Sequence, residues 1–144
     1  MTIPQPIMLI EDSPEDVEAT LRAFRRSGLH NEIVHCATGD EALDQLHGRV
    51  PGGTPRPGII PLDLNLPGTD GREVLAEIKT SDALKSIPVV VLTTSSDERD
   101  VEACYRAGAS SYIQKPVNMD GFLKAIQQLA GYWFEIVILP KGMA

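Results

Sequence analysis

The chain has 144 residues, 42% of them hydrophobic, and its 20 Asp plus Glu outnumber 13 Lys plus Arg for a formal charge of -7. That length suits one domain burying roughly two-thirds of its unfolded surface. The acidic balance excludes the basic face that a nucleic-acid binder or an anionic-membrane binder needs, and two cysteines without a CxxC exclude a disulfide scaffold or zinc ribbon.

Ile7–Ile10 is a short apolar run without polar alternation, the pattern of a strand buried on both faces. Ser13-Pro14-Glu15-Asp16 opens a helix. Ser13 caps it, Pro14 suits the first helical position, and Asp16 is placed to complete a capping box. Val17, Leu21 and Phe24 form its apolar stripe, and Gly28 its stop. Residues 32–37 read as a second strand and Asp40–Leu46 as a second helix. Residues 47–58, rich in Pro and Gly, form a loop with no chemical signal. Residues 59–64 are a third strand and Gly71–Lys79 a helix. Val89–Leu92 is a fourth strand, followed by a helix over Glu98–Ala107 that stops at Gly108. Ser111–Ile113 is a fifth strand, and Asn118 caps a fifth helix running to Leu129. Strand then helix, five times, predicts an α/β fold with a parallel sheet and helices on both faces.

In such sheets ligands sit beyond the carboxyl ends of the strands. The first strand ends in Glu11-Asp12, the third in Asp63, the fourth in Thr93-Thr94, and the fifth leads to Lys115-Pro116. Singly, each residue reads as a turn former, cap or solvated charge. Together they place acids, a hydroxyl and an ammonium on one edge. Crowded carboxylates of Glu11, Asp12 and Asp63 repel one another, and Mg²⁺, which prefers oxygen ligands and keeps several waters, relieves that conflict. Asp63 can then act as a carboxylate nucleophile toward phosphorus, with Lys115 and Thr93 holding the other phosphoryl oxygens.

These residues, with Leu62-Asp63-Leu64-Asn65-Leu66-Pro67, Asp70-Gly71 and Tyr112, resemble the response-regulator receiver domain of two-component signalling. The resemblance covers about residues 6–130. It implies a flavodoxin-like (βα)5 three-layer sandwich with strand order 2-1-3-4-5. It further implies Asp63 as phosphoacceptor and Glu11, Asp12, Asp63 and the Asn65 backbone carbonyl around Mg²⁺. Thr93 and Tyr112 match the switch pair, Lys115 the phosphate-pairing lysine, and Asn65 and Ser95 the residues that tune phosphate lifetime. The peptide bond before Pro116 is expected to be cis. The phrases Asp63–Gly68, Val91–Ser95 and Tyr132–Val137 resemble stand-alone response regulators whose partners are phytochrome-type histidine kinases. Two other classes fit parts of the pattern: a phosphorylation-independent pseudo-receiver, and an aspartate-nucleophile phosphatase, against which Asn65 stands where a second acid is needed.

Two features depart from the family pattern. Pro61 lies inside the third strand, where proline removes a ladder donor. The segment after residue 130 carries Tyr132-Trp133-Phe134, three of seven aromatics, and suggests either packing on its own domain or a homodimer contact. The domain is accordingly assigned to residues 1–130 and a C-terminal extension to 131–144. Met1–Ile10 has no basic region and is interrupted by Pro4 and Pro6, so neither a secretion signal nor a membrane span is expected, and a cytoplasmic setting is. His30, His35 and His47 are scattered and read as non-ligands, and Cys36 and Cys104 as packing thiols. Arg22, Arg25, Arg26 and the run Glu98-Arg99-Asp100 read as solvated helix faces.

Overall fold

The computed structural model describes residues 5–53, 55–116 and 118–140. Both ends of the assigned domain and extension, residues 1–4 and 141–144, lie outside them. The strands are β1 (Ile7–Ile10), β2 (Ile33–Cys36), β3 (Ile60–Leu62), β4 (Val89–Thr93) and β5 (Ser111–Gln114). The helices are α1 (Pro14–Arg26), α2 (Gly39–Leu46), α3 (Gly71–Thr80), α4 (Glu98–Ala107) and α5 (Met119–Gly131), followed by a π-helical turn, Tyr132–Ile136. The five strands pair in parallel in the order β2-β1-β3-β4-β5. This is the flavodoxin-like arrangement expected from the resemblance.

Alternate residues of each strand supply two cores. Met8, Ile10, Ile60, Leu62, Val89 and Val91 pack with α2, α3 and α4 through Leu43, Leu75, Ile78 and Cys104. Ile7, Ile59, Val90 and Leu92 pack with α1 and α5 through Phe24, Phe122, Ile126 and Leu129. The stripe expected on α1 is rotated. Ala19, Thr20, Ala23 and Phe24 are the buried residues, while Val17 and Leu21 are half-buried. The small Ala19, Thr20 and Ala23 let α1 approach α5, and Phe24 fills the core beside them.

Pro61 sits in β3, the middle strand of the sheet, opposite Val90 of β4. On the other side, Met8 N donates to Ile59 O at 3.1 Å and Asp63 N donates to Ile10 O at 3.0 Å. Parallel pairing places the amide of residue 61 between these bonds, facing the Met8 carbonyl. Proline has no hydrogen to give there. The β1–β3 ladder is accordingly reduced to the Ile10–Leu62 pair and an isolated bridge between Ile7 and Ile59.

The C-terminal extension lies back on its own domain. The Phe134 ring meets Phe24 edge-on at 6.4 Å between centroids. Gln5 Nε2 donates to the Pro140 carbonyl at 3.2 Å. Tyr132 and Ile138 remain exposed.

Candidate functional site

The ends of four strands converge as the sequence predicts. Glu11 is the first residue beyond β1, Asp63 the first beyond β3, Thr93 the last of β4, and Lys115 the first beyond β5. Glu11, Asp63, Thr93 and Lys115 are buried, whereas Asp12 and Asn65 are exposed. Oxygen atoms of Glu11, Asp12 and Asp63 all lie within 4.8 Å of one another. The Lys115 ammonium enters the same cluster, 2.5 Å from Glu11 Oε1, 2.7 Å from Asp16 Oδ2 and 3.3 Å from Asp63 Oδ2.

Lys115 reaches the cluster from a trans peptide bond. The expected cis bond before Pro116 is absent, as no cis bond occurs among the described residues. The Lys115 amide donates to the Thr93 carbonyl at 2.7 Å, which holds the residue in line with β4, and the side chain then follows the negative charge inward.

Burial pushes the Glu11 carboxyl up to about 7, with Asp63 adding to the rise and Lys115 opposing it. Burial works against the Lys115 charge, but its bonds to Asp16 and Glu11 outweigh it and leave the ammonium above its usual range. One ammonium thus contacts three carboxylates, Glu11, Asp16 and Asp63, with Asp12 beside them, so the acidic groups outnumber the cation. An all-oxygen donor set with that excess fits a hard divalent cation.

The loop after β3 is fixed from behind. Asp63 Oδ1 accepts from the Asn65 amide at 3.3 Å, and Gly71 N donates to Leu64 O at 2.9 Å. A Cβ at Gly71 would lie 2.2 Å from the Asp63 carbonyl oxygen and 2.5 Å from Leu64 Cα, so only glycine permits this approach. Asn65 Nδ2 also reaches the Thr93 hydroxyl at 3.5 Å.

Several residues act differently from expectation. Asp16 does not complete a capping box, because its carboxylate is drawn to Lys115. Glu11 Oε2 takes that role, accepting from the Ser13 amide at 3.3 Å. Ser95 donates its hydroxyl to Asp100 Oδ2 at 2.8 Å rather than toward the acid cluster. Asp100 is not a solvated helix residue: Arg72 grips it through Nε and Nη2, both at 2.8 Å. Tyr112 is half-buried against the α3–α4 core, and its hydroxyl donates to the Ser95 carbonyl at 2.9 Å. Asp16, Arg72 and Asp100 escaped the sequence reading. Asp16 lies in the first turn of the helix that directly follows Glu11-Asp12, a usable signal. Arg72 and Asp100 are 28 residues apart, and no local pattern links them.

The histidines stay outside the cluster. His35 Nε2 pairs with the Glu11 carbonyl at 2.7 Å, and His47 Nε2 lies 3.8 Å from Glu77. Cys36 and Cys104 are free and buried, and burial pushes the Cys36 thiol up to about 12. No helix among the described residues is long and apolar enough to cross a membrane.

Residues 7–127 match the family model described as the response regulator receiver domain. The chain belongs to that family. This receiver is 42% identical over 141 residues to response regulator Rcp1 of Synechocystis sp., covering 96% of this chain and 95% of the relative. It superposes on the crystal structure of the Mn²⁺-bound form of Rcp1 with a TM-score of 0.91, covering 95% of this chain and 99% of that one. A phosphorylated cyanobacterial phytochrome response regulator, RcpA, gives a TM-score of 0.92 at 37% identity over 96% of this chain and 99% of that one. The receiver is therefore a response regulator homologous to phytochrome response regulators.

Proposed function

We propose that this response regulator accepts a phosphoryl group on Asp63 from a histidine kinase of the phytochrome type and signals through Thr93 and Tyr112. The observation that carries the reading is the Asp63 carboxylate, buried at the end of β3 with Lys115 Nζ at 3.3 Å and the oxygens of Glu11 and Asp12 within 4.8 Å. The fit of the acid cluster to a hard cation supports Mg²⁺, held by Asp12, Asp63 and the Asn65 carbonyl, with Glu11 helping through water. When bound it would supply positive charge to neutralise phosphoryl oxygens.

An Asp63 oxygen attacks phosphorus, the P–N bond of the donor phosphohistidine breaks, and the imidazole leaves with the electron pair. The resulting acyl phosphate brings added negative charge and acceptor oxygens to the buried edge. Lys115 turns from its carboxylate partners to these oxygens, and the Thr93 hydroxyl donates to one of them. Asn65, exposed beside Asp63, controls how water reaches the acyl phosphate, and Ser95 tunes its lifetime. The population then shifts further toward the packing with Tyr112 inward, its hydroxyl on the Ser95 carbonyl.

Residues 1–130 form the receiver proper and 131–144 its extension. The exposed Tyr132 and Ile138 support a homodimer contact at that extension. Two free, buried cysteines suit a reducing cytoplasm.

Intact mass after incubation with Mg²⁺ and a small acyl-phosphate donor tests the reading. Wild type is expected to gain one phosphoryl group and Asp63→Asn none. Wild type that stays unmodified while folded and metal-bound would sink it.

A further inference from the structure

Tyr112 lies inward with its hydroxyl on the Ser95 carbonyl, so whatever fixes Ser95 also fixes Tyr112. Ser95 is fixed by Asp100 and Asp100 by Arg72, in a bidentate pair whose geometry a lysine could not reproduce. Arg72 is anchored in turn. Its amide and Nη1 both bind the Asp70 carboxylate, the N-cap of α3, at 2.8 Å and 3.0 Å. The first residue of that helix, Gly71, donates to Leu64 in the loop that carries Asp63. A continuous chain therefore joins the loop after β3 to the loop after β4 without passing through the acid cluster or Thr93. Both strong links are charge-assisted, and Arg72 holds Asp100 ionised, down at about 2.

We infer that Arg72 and Asp100 are positioning residues that latch Ser95, and through its carbonyl Tyr112, in the inward packing from which Asp63 is phosphorylated. This rests on Asp63 being the phosphoacceptor. The latch acts by population. With it intact the inward packing is populated before any phosphoryl group arrives, and with it broken the competent fraction and the observed rate fall together.

Protein labelled with 3-fluorotyrosine reports Tyr112 by ¹⁹F NMR, its resonance assigned with Tyr112→Phe. Arg72→Ala and Asp100→Asn are each expected to shift or broaden that resonance. Each should also slow phosphorylation by the small acyl-phosphate donor about two- to fivefold, the range for a half-exposed ion pair. Asp100→Glu keeps the charge and should recover much of the rate. In a Tyr112→Phe background neither change should slow the reaction further, which a merely structural role would not predict. An unmoved resonance with only a lowered melting temperature overturns the latch. So does an equal loss of rate with and without the Tyr112 hydroxyl. If wild type takes no phosphoryl group yet the resonance moves in both variants, the latch stands and the phosphoacceptor reading fails.

Discussion

The Lys115 ammonium lies 2.5 Å from a Glu11 oxygen and 2.7 Å from an Asp16 oxygen, both nearer than its 3.3 Å approach to Asp63. Glu11 and Asp16 therefore hold the lysine beside the acceptor in advance, so little reorganisation is needed when an anion arrives.

Removing that ammonium should expose the cost of the cluster. Lys115→Met leaves Glu11 and Asp63 buried without their cation, and is expected to lower unfolding free energy by about 3 kcal/mol in metal-free buffer. Urea unfolding measures it. Added Mg²⁺ should recover more stability in the variant than in wild type, since it replaces the lost charge. Equal stability in the two proteins would mean that the Lys115 ammonium contributes no net stabilisation to the cluster.

The Arg72–Asp100 pair gives a pH signature. Its bonds to Arg72 and Ser95 hold the Asp100 carboxyl down at about 2, below the ordinary 3.8. A depressed carboxylate contributes stability that is present above its unfolded value and is lost as pH falls through the folded one. The pair's contribution is thus full above about pH 4 and disappears toward pH 2. At pH 3 the ¹³C carboxyl resonance of Asp100 should still report the ionised form in wild type. In Arg72→Ala it should titrate near the ordinary value. Coincident titration curves would refute the assignment.

Pro61→Leu should stabilise the domain. Leucine restores an N–H facing the Met8 carbonyl, and a net hydrogen bond is worth about 1 kcal/mol. Loss of the proline's restriction on the unfolded chain offsets part of this. A rise in melting temperature of about 3 °C is expected by calorimetry. An unchanged or lower value would mean the added volume strains the α1–α5 side of the sheet.

Deleting residues 132–144 should convert a dimer to a monomer in light scattering, if the extension forms the homodimer contact. The same deletion removes the Phe134 ring from Phe24, so a loss of about 2 kcal/mol should accompany it. A dimer that survives truncation would place the contact elsewhere.

The alternation of strands and helices and the converging edge were legible because each depends on local signals, whereas the order of the strands came from the family resemblance. Buried strands read as apolar runs, caps as Ser13 and Asn118, and the functional acids as the residues where the runs end. The helix over Glu98–Ala107 has the expected limits because Gly108, at φ 111°, stops it in the left-handed region. What was not legible depends on which side chains meet across elements. Asp16 has two possible partners, the amide beside it and an ammonium 99 residues away, and sequence spacing favours the nearer. Asp100 follows Glu98 and Arg99 in a run that looks solvated, yet α3 lays Arg72 over it. Ser95 was placed at the acid edge by its position after Thr93, but only the path of the loop decides that its hydroxyl turns to α4. The trans bond before Pro116 is of the same kind, since nothing local selects the isomer.

The contact behind Asp63 has a consequence for heredity. Every one-base change that replaces a glycine codon by that of another amino acid adds a Cβ, and at position 71 that atom would fall 2.2 Å from the Asp63 carbonyl oxygen. Backbone meets backbone there, so no neighbouring side chain can make room. Mutational drift is closed at Gly71 and open at Asn65, which faces solvent two residues beyond the acid. Descendants of this chain can therefore vary the chemistry around the carboxylate while inheriting its place unchanged.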